Sequence, residues 1–97
     1  MTKTNLCVSY ELGLGAKREY ADLFAALAIF EDRCHALETL WFLSTPWSAR
    51  QVYEHLRRHM DPADSLMVEE MPARAGWSGW VDQGVRDWLT EHLGPPV

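Results

Sequence analysis

The sequence predicts one α+β domain whose elements follow the order β-α-β-β-α-β, with an additional C-terminal helix. Stretches with apolar residues at every second position alternate with stretches whose apolar residues recur every three or four positions. The connections between these stretches are short, and 97 residues suffice for one modest core. The chain is also 47% hydrophobic and 24% charged, which is ordinary for a folded domain.

The first half of the chain contains a strand, a helix and an apolar stretch of strand character. Residues 5–12 alternate as a strand does, with Leu6, Val8 and Tyr10 on one side and Cys7, Ser9 and Glu11 on the other. Apolar residues at helical spacing predict a helix over residues 17–30, namely Tyr20, Leu23, Phe24, Leu27 and Phe30. Residues 34–45 are predicted to form two short antiparallel strands or one long bent strand, with the turn or bulge near Leu37–Thr39.

The second half begins with a helix predicted over residues 49–60. Ser48 and Gln51 form an S-x-x-Q capping box at its start, and Asp61-Pro62 ends it. Its buried stripe would be Val52, Leu56 and His59 or Met60. Residues 65–71 form the last strand. Residues 76–93 begin with a tryptophan-rich turn and continue as a helix whose apolar side carries Val81, Val85, Trp88, Leu89, His92 and Leu93.

This order predicts a ferredoxin-like fold with its core in residues 5–71, in which both core helices lie on one face of an antiparallel sheet. The first strand would lie beside the third and the fourth, and the second strand would lie at an edge. Cys7 and Cys34 would then be about 10 Å apart across an intervening strand, too far for a disulfide.

The second face of the predicted sheet is also partly apolar, because Leu40, Phe42, Met67 and Met71 alternate onto it. A sheet with one face in water would alternate more cleanly between apolar and polar residues. The C-terminal helix, a second copy of the chain or both are the candidates to cover this face. We interpret the tryptophans of residues 76–93 as packing residues under that helix rather than as a platform for stacked bases.

Charge and cysteine content limit the function classes. Nine Lys and Arg against 14 Asp and Glu give a net charge of −5, which disfavours wholesale binding of a phosphate backbone. No apolar run approaches the roughly 18 residues of a membrane span, and the N-terminus lacks the apolar region of a signal peptide. We therefore expect a cytoplasmic protein with no membrane partner and with both cysteines reduced.

Several segments together carry a resemblance to a known family. SYEL (9–12), TLWFLSTP (39–46), ARQVYEHLRRHMDP (49–62) and DSLMVEEM (64–71) resemble the small CRISPR spacer-acquisition family, here called the Cas-two family, and the related VapD-type ribonucleases. Over the whole chain, including GWSGW (76–80) and DWL (87–89), the sequence is most similar to short uncharacterised bacterial and phage proteins labelled SinR-like.

The resemblance implies a homodimer that acts on nucleic acid, with Mg²⁺ or Mn²⁺ as cofactor for cleavage of RNA or DNA. The carboxylate that ends the first strand, from both subunits, would hold the metal ion, and Glu11 occupies that position after Tyr10. The family has Asp where this chain has Glu. Glu11 would thus be the catalytic residue and metal ligand, supported by Tyr10. A carboxylate pair suits this chemistry, because hard oxygen ligands hold Mg²⁺, which activates water.

Other residues suggest weaker sites. Arg50, Arg57 and Arg58 share the second helix and are candidate phosphate contacts, although a solvated helix face is the favoured interpretation. His55 and His59 have the spacing of zinc ligands, but Leu56 stands where H-E-x-x-H needs Glu, which favours a structural pair. His35 and His92 have no sequence neighbours that would complete a site.

The alternative function is a non-catalytic dimeric interaction or scaffold protein of the same fold.

Overall fold

The computed structural model describes residues 2–13 and 21–97. Within them the chain forms four strands and three helices, so the predicted α+β class is confirmed. The elements are β1 (Thr4–Glu11), α1 (Ala21–Leu27), β2 (Asp32–Leu37), β3 (Leu40–Thr45), α2 (Ala49–Arg57), β4 (Ser65–Met71) and α3 (Gln83–Leu93). None of the helices in this part of the chain combines the length and the apolar character that crossing a bilayer requires.

The four strands form one antiparallel sheet in the order β2-β3-β1-β4. β1 lies between β3 and β4, and β2 lies at an edge, as the sequence predicts. Residues 34–45 are two strands rather than one bent strand, with a turn at Glu38-Thr39 and a register shift between His35 and Leu37.

The two cysteines have the predicted separation. Phe42 of β3 pairs with Cys7 on one side and with Cys34 on the other, and both thiols are free.

The main core lies between one face of the sheet and the helices α1 and α2. Leu6, Val8 and Tyr10 of β1 point into it, as the alternation predicts. Their neighbours from β3 are Trp41 and Leu43, and those from the helices are Leu23, Ala26, Leu27, Val52 and Leu56, with Phe30 just after α1. Leu6, Val8, Leu27, Leu43, Val52 and Leu56 are completely buried. This face holds most of the apolar area removed from water, which is the principal favourable contribution to folding.

A second, smaller core lies on the opposite face of the sheet, under α3. Val85, Leu89 and Leu93 of α3 pack with Cys34 of β2, and Phe42 and Met71 border the cluster. The candidate cover that the sequence offered, the C-terminal helix, therefore does cover part of this face. Trp77 and Trp88 pack against the same cluster, whereas Trp80 is fully exposed and buries nothing.

Helix boundaries differ from those predicted. α2 ends at Arg57, not at residue 60, because the Arg57 guanidinium donates to the carbonyls of Met60 and Asp61 and the chain closes in tight turns. His59 is consequently exposed, and only Met60 of that predicted pair packs on the core. α1 ends at Leu27, and α3 begins at Gln83 after an irregular segment. The predicted helical residues 17–20 lie outside the described residues.

Candidate functional site

The uncovered part of the second face is the main candidate surface. Because side chains alternate along a strand, β1 and β4 send one set of residues away from α1 and α2. We call this surface the open half-sheet; it consists of Cys7, Ser9, Glu11, Ser65, Met67 and Glu69. α3 lies mainly over β2 and β3 instead, and it also contacts β1 at Asn5 and β4 at Met71. Met67 is left 57% exposed, which is unusual for a large apolar side chain in the middle of a strand.

Glu11 lies at the edge of this surface, at the last position of β1. Its side chain is exposed, and its backbone partner in β4 is Ser65. A shallow depression of about 310 Å³ lies here, lined by Ser9, Glu11, Ser65 and Met67 together with Tyr10, Leu66 and Thr39. Glu11 is thus presented to solvent at the end of a central strand.

Tyr10 has a structural position. Its ring is 7% exposed and belongs to the main core, on the face of the sheet away from Glu11. The hydroxyl donates to the carbonyl of Glu38 at 3.2 Å and accepts from Nε1 of Trp41 at 3.3 Å. These contacts tie β1 to the β2–β3 turn.

The three arginines predicted to bind phosphate do not converge on Glu11. Arg50 is 78% exposed and pairs with Glu54 at 2.7 Å along the same helix. Arg57 is committed to the carbonyls that close α2. The Nε of Arg58 lies 3.5 Å from the carbonyl of Glu54, at the limit of a hydrogen bond. Of the three guanidinium groups, those of Arg50 and Arg58 face solvent.

A divalent ion at Glu11 would find one carboxylate in a single chain. No group of three or more His, Cys, Asp and Glu residues converges anywhere in residues 2–13 and 21–97. Mg²⁺ is often held in proteins by one or two carboxylates, with waters completing its shell. A single chain therefore offers such an ion one carboxylate, and a second copy could supply another Glu11.

Cys7 provides a free thiol on the open half-sheet. Its side chain is partly buried, and burial raises the pKa of the thiol, with a further increase from the carboxylate of Glu69. A raised pKa keeps the group as the unreactive thiol near neutral pH.

A polar cluster that sequence reasoning missed joins the start of β2 to the end of α3. The carboxylate of Asp32 lies 2.6 Å from Nε2 of His92 and accepts a 2.8 Å hydrogen bond from Nε1 of Trp88. The His92 ring stacks on Trp88 at 3.8 Å, and its Nδ1 lies 2.8 Å from the Trp88 carbonyl. No motif connects residues 60 positions apart, so only knowledge of which face α3 covers could have revealed the pair.

The environment of Asp32 favours its charged form. Burial alone would raise the pKa of this carboxyl. The hydrogen bonds from His92 and Trp88, with the charges of His92 and Lys3, outweigh burial, so the pKa lies below its ordinary value. Both His92 nitrogens and both Asp32 oxygens are occupied by these contacts, which makes the cluster a clamp that holds α3 to the sheet.

Of His55 and His59, which the sequence favours as a structural pair, His55 is the one that connects two elements. Nε2 of His55 lies 3.0 Å from the Ala26 carbonyl, so the ring links α2 to α1, and it contacts the rings of Phe30 and Trp47 edge-on. His59 lies beside it with the ring centroids 5.9 Å apart.

An apolar cavity of about 330 Å³ lies between α3 and the sheet. It is bordered by the segment that precedes α3, and its lining includes Leu40, Phe42, Met71, Trp77, Trp80 and Leu89. The exposed Trp80 ring stands at its rim. This cavity continues the second core and is separate from Glu11.

Comparison of the chain with known protein families, with curated proteins and with solved structures finds no match. The resemblance to the Cas-two family therefore stays a prediction that rests on the residues quoted above.

Proposed function

We propose that this chain is a homodimeric interaction or scaffold protein with a ferredoxin-like fold. The strand order β2-β3-β1-β4 and the two core helices on one face support that fold. The proposed function rests on the open half-sheet. This surface combines the exposed apolar side chain of Met67 with the two carboxylates of Glu11 and Glu69, beside a half that α3 covers.

This surface suits a partner that is positively charged and partly apolar. Glu11 and Glu69 attract cations, and Met67 supplies a flexible apolar contact that adapts to different shapes. The net charge of −5 strengthens the same preference. A basic amphipathic segment of another protein fits this chemistry, whereas bare phosphate is repelled.

A lysine- and leucine-rich amphipathic peptide tests the surface. We expect it to shift the NMR signals of β1 and β4, and the double charge reversal Glu11→Lys with Glu69→Lys to abolish the shifts. The matched control reverses two exposed acids outside the open half-sheet, Glu31→Lys and Glu91→Lys. Shifts of equal size in both double variants would contradict the proposed surface.

The second candidate is a Cas-two-like endonuclease that depends on Mg²⁺ or Mn²⁺. The exposed carboxylate of Glu11 at the end of the central strand favours it, because two copies could bring two such groups to one ion. In this candidate Glu11 binds the metal, Tyr10 stabilises the end of β1, and Arg50 and Arg58 are the guanidinium groups open to phosphate.

Incubation with labelled RNA and duplex DNA in Mg²⁺ or Mn²⁺ separates the two candidates. The scaffold function predicts no cleavage by the wild-type protein or by Glu11→Ala. Cleavage that disappears in Glu11→Ala but persists in Glu69→Ala, the neighbouring acid on the same surface, would establish the nuclease instead. Cleavage that persists in both variants would remove Glu11 from the mechanism.

A further inference from the structure

β4 is an open edge of the sheet. Its residues Ser65–Met71 pair with β1 on one side, and no other strand of the described chain pairs with them on the other side. An open edge presents unpaired backbone N–H and C=O groups and is a template for a further strand. Beside it runs a groove of about 380 Å³, lined by Leu66, Met67 and Val68 of β4 and by Ala49, Arg50 and Tyr53 of α2.

Two charged residues near this edge, Glu70 and Arg50, make no strong electrostatic interaction within the described part of the single chain. Glu70 lies on the helix-facing side of β4, at the end away from the groove, and is exposed. Within the described residues it forms no ion pair and no side-chain hydrogen bond. Arg50 lies in the groove, where its guanidinium pairs with Glu54 and lies 5.7 Å from the centroid of the Tyr53 ring, both on its own helix. Exposed ion pairs of this kind contribute little stability.

We propose that two copies of the chain pair their β4 strands antiparallel, with the twofold axis at Val68, and that Glu70 of each copy binds Arg50 of the other. This inference rests on the proposed homodimer and names its interface. The register aligns Val68 with Val68, Met67 with Glu69, Leu66 with Glu70 and Ser65 with Met71. All seven residues of β4 then pair.

The charge pattern of β4, together with the requirement that the whole strand pairs, selects this register. Like charges directly opposite each other across two strands are destabilising. An axis at Glu69 or at Glu70 would align each of those residues with its own copy. An axis at Met67 would align Glu70 with Asp64. The axis at Val68 aligns no two acids, and it keeps the helix-facing sides of both copies on one face of the sheet.

The same register brings opposite charges together. Glu70 of one copy is aligned with Leu66 of the other, and Leu66 lines the groove that contains Arg50. The glutamate that lacks a partner thus lies beside the arginine in the groove. The twofold axis produces this contact twice, next to the ring of Tyr53.

Pairing would join the two sheets into one of eight strands, with the two open half-sheets side by side between the two α3 helices. The two Glu11 carboxylates would lie about 25 Å apart, from three strand spacings across and about six residues along the strands. That separation excludes a metal ion shared between them. The edge dimer therefore belongs with the scaffold function and not with the nuclease.

Charge-swap variants test the ion pair. Light scattering of the wild-type protein is expected to give twice the 11.1 kDa of one chain. Glu70→Lys and Arg50→Glu each replace two attractions by two repulsions, and we expect the dimer dissociation constant to rise roughly tenfold or more in each. The double variant is expected to recover most of the loss. Glu91→Lys, which reverses an exposed acid on α3, is the matched control and should leave dimerisation unchanged.

Cysteine variants test the register. Val68→Cys is expected to form a disulfide-linked dimer on mild oxidation, because aligned residues have Cβ atoms about 5 Å apart. Met67→Cys lies diagonally from its copy, about 7–8 Å away, and is expected to cross-link far less. Wild-type protein provides the background from Cys7 and Cys34.

The outcomes distinguish the inference from the function on which it rests. A wild-type mass of one chain at all concentrations would overturn both. A stable dimer that resists both charge swaps, and that cross-links through Met67→Cys rather than Val68→Cys, would overturn the β4 interface alone. That result would indicate that the open half-sheets face each other.

Discussion

At the scale of single residues, the closest backbone contact around the candidate site is at Gly13, just beyond β1. A Cβ atom at this position would lie 2.5 Å from the Cβ and 2.6 Å from the carbonyl oxygen of Ala63. The Gly13 N–H donates to the carboxylate of Asp64 at 2.9 Å, and the same carboxylate accepts from the Asp61 N–H. Asp64 thus fixes the end of β1, and with it Glu11, against the loop before β4.

We therefore predict that Gly13→Ala lowers the free energy of unfolding by about 1–3 kcal/mol, because backbone atoms must move to admit the methyl group. Gly84→Ala is the matched control. Nothing lies within 4 Å of a Cβ at Gly84, which is inside α3, so this change should raise stability by about 0.5–1 kcal/mol. Urea unfolding followed by tryptophan fluorescence measures both, and equal effects would contradict the close approach at Gly13.

Asp32 predicts a pH dependence of stability. Its pKa is lower in the folded chain than in the unfolded chain, so the unfolded state binds the proton more readily. The stabilisation is complete above the unfolded pKa of about 4 and is lost as the pH falls through the lower folded pKa.

We expect the free energy of unfolding to fall between pH 5 and pH 2 by less in Asp32→Asn than in the wild-type protein, and the variant to be less stable at pH 6. Glu91→Gln, which removes an exposed negative charge from α3, is the control for the change in net charge. Parallel pH profiles for wild type and Asp32→Asn would show that the carboxylate does not clamp α3.

Single residues also show where sequence reasoning ends. Strand alternation correctly placed Glu11 on the face opposite Leu6 and Val8. Its exposure was not predicted, because that face was expected to be covered. The burial of Tyr10 was predictable, since it shares the face of Leu6 and Val8. The contacts of Asp32 with His92 were not, because they depend on the path of the irregular segment before α3.

At the scale of elements, α3 is the part that gives the sheet its two different halves. Val85, Leu89 and Leu93 recur at helical spacing and bury one side of the helix against β2 and β3. Periodicity identified this side of the helix correctly, although the helix begins only at Gln83. Periodicity could not say how far across the sheet the helix would reach.

Leu89→Ala tests the packing of α3. The side chain is 5% exposed, and truncation of such a residue costs about 2–4 kcal/mol. Thr90→Ala, exposed on the other side of the same helix, should change stability by less than about 0.5 kcal/mol. Thermal unfolding followed by circular dichroism measures both. A Leu89→Ala cost as small as that of Thr90→Ala would mean that α3 is not packed as described.

The α2 helix shows what local signals can and cannot determine. The capping box at Ser48 and Gln51 is present as predicted, because it needs only residues three positions apart. The end of the helix depends on Arg57 reaching two carbonyls beyond it, which the Asp61-Pro62 stop signal does not reveal. A helix start that depends on residues close in sequence is therefore easier to predict than a helix end that depends on a long side chain.

At the scale of the whole molecule, strand order followed from the element order and short connections, and the sheet has the predicted neighbours. The apolar character of both faces predicted a cover for the second face. It did not predict which part of that face α3 covers and which part stays exposed as the open half-sheet. The proposed dimer would depend on two surfaces that fit each other, so the hydrophobic pattern of one chain could suggest it but could not choose its interface.

The alkylation rate of Cys7 reports how accessible the open half-sheet is in the wild-type protein. Its partly buried sulfur is slow to ionise, so alkylation by iodoacetamide needs mildly alkaline buffer, but the rate still depends on access. Joining the β4 edges leaves this sulfur accessible, whereas stacking two sheets face to face would hide it. The labelling rate in dilute and in concentrated protein, read by mass spectrometry, therefore tells the two assemblies apart in the unmodified chain.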